Sequence, residues 1–168
     1  HEDVSISSNN DLLVILSDLH IGQTFESFFG KYDTDIARDR LQQLLDNIVE
    51  IQKTHNSESC YVSLQGDLIS GNIHKSIQVT NRENVIEQIK LATELISSFC
   101  YEPSKHFRRV FLTNVSGNHT RIDKKEDSSH DERLDDLVSW AIGLSLEHVK
   151  NFYILKRNID TGIVDISI

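Results

Sequence analysis

The 168-residue chain has a single proline, two cysteines, no methionine and few basic side chains, 17 Lys and Arg against 26 Asp and Glu. Each shortage excludes something. Cys60 and Cys100 show no Cys-x-x-Cys spacing, which argues against a disulfide framework and against a thiolate zinc site. They read as two small buried apolar side chains in a reducing, cytoplasmic compartment. No uninterrupted apolar run approaches the roughly 20 residues that span a bilayer, which argues against a membrane protein. A formal charge of −9 disfavours a surface that coats nucleic acid throughout, because neutralising phosphates takes clustered Lys and Arg. A local basic patch is still compatible with that balance. The chain begins at His1 and shows no signal-peptide pattern, so it reads as a piece of a longer open reading frame.

What remains is the composition of one α/β-sized domain, with 38% apolar and 26% charged residues, too hydrophobic for a disordered chain. Residues 1–10 are polar and aperiodic and read as a tail or linker, so the domain covers residues 11–168. Leu12 to Leu16 form a continuous apolar run, as expected of a strand buried on both faces. From Thr34 to His55 the positions Ala37, Leu41, Leu44, Leu45, Ile48 and Ile51 recur at helical steps. Cys60 to Leu64 reads as a second strand. Thr80-Asn81-Arg82-Glu83 has the form of a Thr-x-x-Glu capping box opening a second helix, which Pro103 ends. Val110 to Val115 reads as a third strand. A third helix carries Leu134, Leu137, Val138, Ala141, Leu144 and Leu146 and starts in the charged run Ser128 to Glu132. Two short strands, Asn151 to Lys156 and Ile163 to Ile168, close the chain. Strands alternating with long connections imply right-handed crossovers and a layered α/β sandwich with a largely parallel central sheet.

In such folds ligands gather beyond the carboxyl ends of the strands. There the sequence places Ser17-Asp18-Leu19-His20 after strand one, Gly66-Asp67 after strand two and Gly117-Asn118-His119 after strand three. Asp18 and His20 alternate onto the same side of an extended chain and are able to clamp one cation. Singly, each motif is weak evidence, since Gly-Asp is an ordinary turn and Asn favours left-handed turns. Three successive strand ends that all carry carboxylate, imidazole or amide groups make a site.

These motifs, in this order, resemble the calcineurin-like metallophosphoesterase superfamily, from strand one through Arg121. Ser-Asp-Leu-His-Ile-Gly is closest to the bacterial and phage branch that includes the nuclease subunits of DNA repair complexes. The resemblance implies that Asp18 and His20 bind one metal, Asp67 bridges two and Asn118 binds the second. It also implies that His119 protonates the leaving group or stabilises charge in the transition state. Oxygen and imidazole donors suit two Mn²⁺ ions, with Fe or Zn²⁺ as alternatives, and such a pair activates water for in-line attack on phosphorus. Arg121, with Lys124 and Lys125, and His74 in the loop after the second motif are the candidate substrate contacts. Phe25, Phe28, Phe29 and Tyr32 offer stacking surfaces for a base or else cover a flank of the sheet. Trp140 is expected in the core or on a missing domain.

Two departures stand out. Thr120 follows His119 where many relatives carry an acid that orients the imidazole. After His119 only His130 and His148 remain, both read as surface helix residues, so the histidines that complete the metal shells are missing. The expectation is a partial metallophosphoesterase domain, weak in metal affinity, whose parent hydrolyses phosphodiester bonds in nucleic acid or nucleotides. The alternatives are a degenerate, non-catalytic binding module of the same fold and a small-molecule phosphatase.

Overall fold

The computed structural model describes residues 10–72, 81–117, 120 and 133–155. Its centre is a sheet of four parallel strands in the order β1-β4-β5-β6, comprising β1 (Leu12–Leu16), β4 (Ser59–Leu64), β5 (Arg109–Asn114) and β6 (Phe152–Ile154). A hairpin of β2 (Phe25–Ser27) and β3 (Gly30–Tyr32) stands apart from it. Three helices join these strands among the described residues: α1 (Thr34–His55), α2 (Val85–Tyr101) and α3 (Leu134–Ser145). The α/β class and the parallel sheet agree with the sequence reading. The proposed closing strand at Ile163 to Ile168 lies outside the described residues, as do residues 1–9 of the expected tail.

One face of the sheet makes the core. Val14 and Leu16 of β1, Cys60, Val62 and Leu64 of β4 and Val110 and Leu112 of β5 point into it. They meet Leu41, Leu45 and Ile48 of α1, Ala92, Ile96 and Phe99 of α2, and Val138 and Ile142 of α3. Alternation puts the intervening residues on the other face. There Leu13 and Ile15 are 53% and 60% exposed, so the expectation that β1 is buried on both faces is corrected: the helices of the described residues all pack on the opposite face of the sheet. Along that second face Tyr61, Phe111 and Tyr153 stack at centroid distances of 4.8 and 5.4 Å.

Two helices start elsewhere than the sequence predicts. Asn84, and not the Thr80 box, caps α2, its side chain accepting from the backbone N–H of Ile86 and Glu87. Asn adjoining the first helical residue satisfies the orphan donors directly. Asn81 is spent elsewhere, accepting from Ser70 Oγ and donating to the Gly71 carbonyl. Helix α3 begins at Leu134, beyond the charged run in which the sequence placed its start. Trp140, 60% exposed, is not in the core, and neither are Leu137 or Leu144 of the same helix.

Candidate metal centre

The loops leaving β1 and β4 run on side by side past the strand ends. Gln65 N–H donates to Leu16 O, Asp18 N–H to Gly66 O, His20 N–H to Asp67 O and Ile21 N–H to Leu68 O, while Ser70 N–H returns to Ile21 O. This ladder fixes Asp18, His20 and Asp67 against one another. Ligand atoms of the three side chains all lie within 4.8 Å of each other, and His20 Nε2 stands 3.7 Å from Asp18 Oδ1. Asp18 is exposed and also accepts from Ser17 Oγ, whereas His20 and Asp67 are half-buried. A divalent ion of the oxygen- and imidazole-binding kind is suited by two carboxylates and one imidazole converging in this way.

Backbone conformation supplies a second, independent observation. Four non-glycine residues among those described have positive φ: Asp18 (54°), His20 (43°), Asn56 (52°) and Asp67 (51°). Asn56 is the left-handed C-cap of α1, an ordinary use. The other three are the clustered residues themselves. Left-handed backbone at a non-glycine residue costs of order 1–3 kcal/mol and gathers where function needs a side chain aimed against local preference. Sequence reasoning placed Asp18 and His20 on one side by extended-strand alternation, but it is this irregular turn that brings them together.

The glycines of the motifs are there because the loops touch. A Cβ built on Gly66, where φ is +82°, would lie 2.9 Å from Ser116 C and closer still to the backbone of Gly117. A Cβ on Gly117 would lie 2.6 Å from Asp67 Cγ and overlap the Asp67 backbone nitrogen. Only two residues without side chains let the β4 and β5 loops abut here. Gly22, with φ +96°, makes room in the same way for the buried side chain of Gln88. The Gln88 amide oxygen accepts from Gly71 N–H and its nitrogen donates to Glu83 O. That ties α2 to the loop beyond Asp67.

Asn118 and His119 lie outside the described residues, and so do Arg121, Lys124, Lys125, His74 and His130. Gly117 of the third motif is described and does reach the cluster. Thr120 is fully buried, its hydroxyl donating to Asp135 Oδ2 at 2.7 Å. Sequence reasoning missed Asp135 altogether. Its carboxyl is pushed up from the ordinary range by burial, while hydrogen bonds from Gly117, Thr120 and Leu68 pull it back. Two adjacent acids in the first turn of a helix read as dipole partners, so nothing distinguished them in the sequence.

The hairpin is the other element missed. Tyr32, at its end, donates its hydroxyl to the carbonyl of Leu19, between Asp18 and His20. Burial pushes the Tyr32 phenol up, which keeps it a donor. Its ring stacks on Phe25 at 5.9 Å, and at the tip Phe28 and Phe29 are 97% and 96% exposed. These two rings therefore do not cover a flank of the sheet. His148 is exposed just after α3, as expected, and Arg108 and Arg109 sit at the amino end of β5, away from the cluster.

No helix among the described residues is long and apolar enough to cross a membrane. No family model matches the chain, and no solved structure matches it. It is 26% identical over 151 residues to the SPbeta prophage-derived uncharacterized protein YonJ of Bacillus subtilis (strain 168). The match takes in 88% of this chain and 37% of that relative, so the chain spans well under half of the curated protein it resembles.

Proposed function

We propose that the chain carries the metal centre of a calcineurin-like metallophosphoesterase that cleaves phosphodiester bonds in nucleic acid or nucleotides, on the phage side of that superfamily. The observation that carries this reading is the convergence of Asp18, His20 and Asp67, each in left-handed backbone, at the carboxyl ends of adjacent parallel strands. Similarity to a prophage-derived protein is in keeping with it. Asp18, His20 and Asp67 would hold one divalent cation, Mn²⁺ before Fe or Zn²⁺, and Asp67 with Asn118 would hold a second. Cations in such a site supply charge neutralisation and an activated water.

The chain's own groups then have separate tasks. His119 follows Asn118 directly and gives its proton to the departing oxygen, with Arg121 and His74 gripping phosphate oxygens. The aromatic hairpin favours nucleic acid over a small ester. Its base is tied to the ligand-bearing segment through Tyr32 and Leu19, and its tip presents two solvent-facing rings that offer stacking surfaces to unpaired bases.

The test is Mn²⁺-dependent hydrolysis by the intact protein of single- and double-stranded oligonucleotides beside a generic aryl phosphodiester, with Asp67→Asn as control. Oligonucleotide cleavage that disappears in the variant is expected. Turnover of the aryl ester alone would identify a small-molecule phosphatase instead, and no turnover of any substrate a non-catalytic module.

A further inference from the structure

Asp135 stands at the second position of α3 and is fully buried. Its Oδ2 accepts from Gly117 N–H at 2.8 Å, Thr120 Oγ1 at 2.7 Å and Asp67 N–H at 3.2 Å, and its Oδ1 accepts from Leu68 N–H at 3.1 Å. Asp136 beside it accepts from Asn114 Nδ2 at 2.8 Å and from Ser116 Oγ at 2.9 Å. Leu134 N–H closes the set on Thr120 O. One helix turn thus takes hold of the loop leaving β4 and the loop leaving β5 together.

We propose that Asp135 is the positioning residue of the metal centre. It holds the backbone of Asp67 in its left-handed conformation and draws Gly117 against it, so that the Asp67 carboxylate is aimed at Asp18 and His20. This rests on reading Asp67 as a metal ligand. Three features support the assignment. A strained conformation persists only where its surroundings over-determine it, and here two consecutive N–H groups, Asp67 and Leu68, end on a single carboxylate. Next to the contact between Gly66 and Gly117, too close for any side chain, that same carboxylate joins the Asp67 and Gly117 amides. All four donors are N–H or O–H groups, and an ionised Asp offers acceptors only. An Asn would turn an N–H₂ against at least one donor in either orientation, leaving buried groups unpaired.

The experiment compares Asp135→Asn with Ile96→Ala, a core truncation in α2 away from the cluster, by amide hydrogen exchange and by the broadening of amide signals on Mn²⁺ titration. Asp135→Asn is expected to lower protection of the Asp67, Leu68 and Gly117 amides at least tenfold more than Ile96→Ala does, and to weaken Mn²⁺ binding at least tenfold where Ile96→Ala leaves it unchanged. Equal exchange at those three amides, or Mn²⁺ binding as in wild type, overturns the proposal. Were wild type to bind no Mn²⁺, the metal reading would fall while the exchange data still decide whether Asp135 holds the loops. If Asp135→Asn fails to fold, Thr120→Val removes one of the four donors and carries the same comparison. A two- to fivefold weaker Mn²⁺ affinity is expected there, and an unchanged one overturns the assignment.

Discussion

The missing Cβ of Gly117 would fall 2.6 Å from Cγ of Asp67, so the glycine of the third motif is a steric requirement of the acid in the second. Gly117→Ala must push the two loops apart, at a cost of about 1–3 kcal/mol by the usual scale of overpacking. Denaturant unfolding should show that loss. Mn²⁺ binding should fall further than stability does, because the first atoms to move belong to Asp67.

Asn84→Ala removes the acceptor shared by the Ile86 and Glu87 amides. About 1 kcal/mol is expected from an N-cap truncation, or about 2–4 °C in Tm for a chain of this size. Thermal unfolding followed by circular dichroism checks it.

Much of the fold could be read from apolar spacing. The runs at Leu12 to Leu16 and Cys60 to Leu64 and the helical steps from Ala37 to Ile48 each depend on neighbours within a few residues, and each coincides with a strand or helix of the structure. What was lost depends on distant partners. Whether Leu13 and Ile15 are covered is settled by which layers the sheet has, and Asn81 was free to look like part of a cap because its partners, Ser70 and Gly71, come from another loop. The site was legible in part for the same reason: Asp18, His20 and Asp67 are motif residues, but Asp135 acts across 68 residues of sequence on Asp67. No local pattern marks such a pairing.

Phe28 and Phe29 contribute little to the fold at 97% and 96% exposure, so replacing both by alanine should change stability by less than about 0.5 kcal/mol. Base stacking on aromatic rings is worth about 1–3 kcal/mol per base. The double variant should therefore bind single-stranded oligonucleotide about tenfold or more weakly by fluorescence anisotropy. Unchanged affinity would remove the hairpin from the substrate site.

The two thiols are sealed in the core. Burial pushes Cys60 up to about 12 and raises Cys100 as well, with Cys60 adding to it. In the unfolded chain a thiol ionises near 9, so above that pH the unfolded state binds fewer protons than the folded one. Stability should then fall as pH rises from about 9 toward 12. At pH 8 neither thiol should react with a disulfide reagent until the chain unfolds, and a stoichiometric reaction in the native state would contradict this burial.

The most direct test of the metal centre is an Mn²⁺ titration of ¹⁵N-labelled protein. Paramagnetic broadening should begin at the amides of Asp18, His20 and Asp67 and disappear in Asp67→Asn, with amide shifts away from the cluster as the check that the variant is folded. Broadening that is uniform over the acidic surface, or that persists at these amides in the variant, would contradict a built cation site at the ends of β1 and β4.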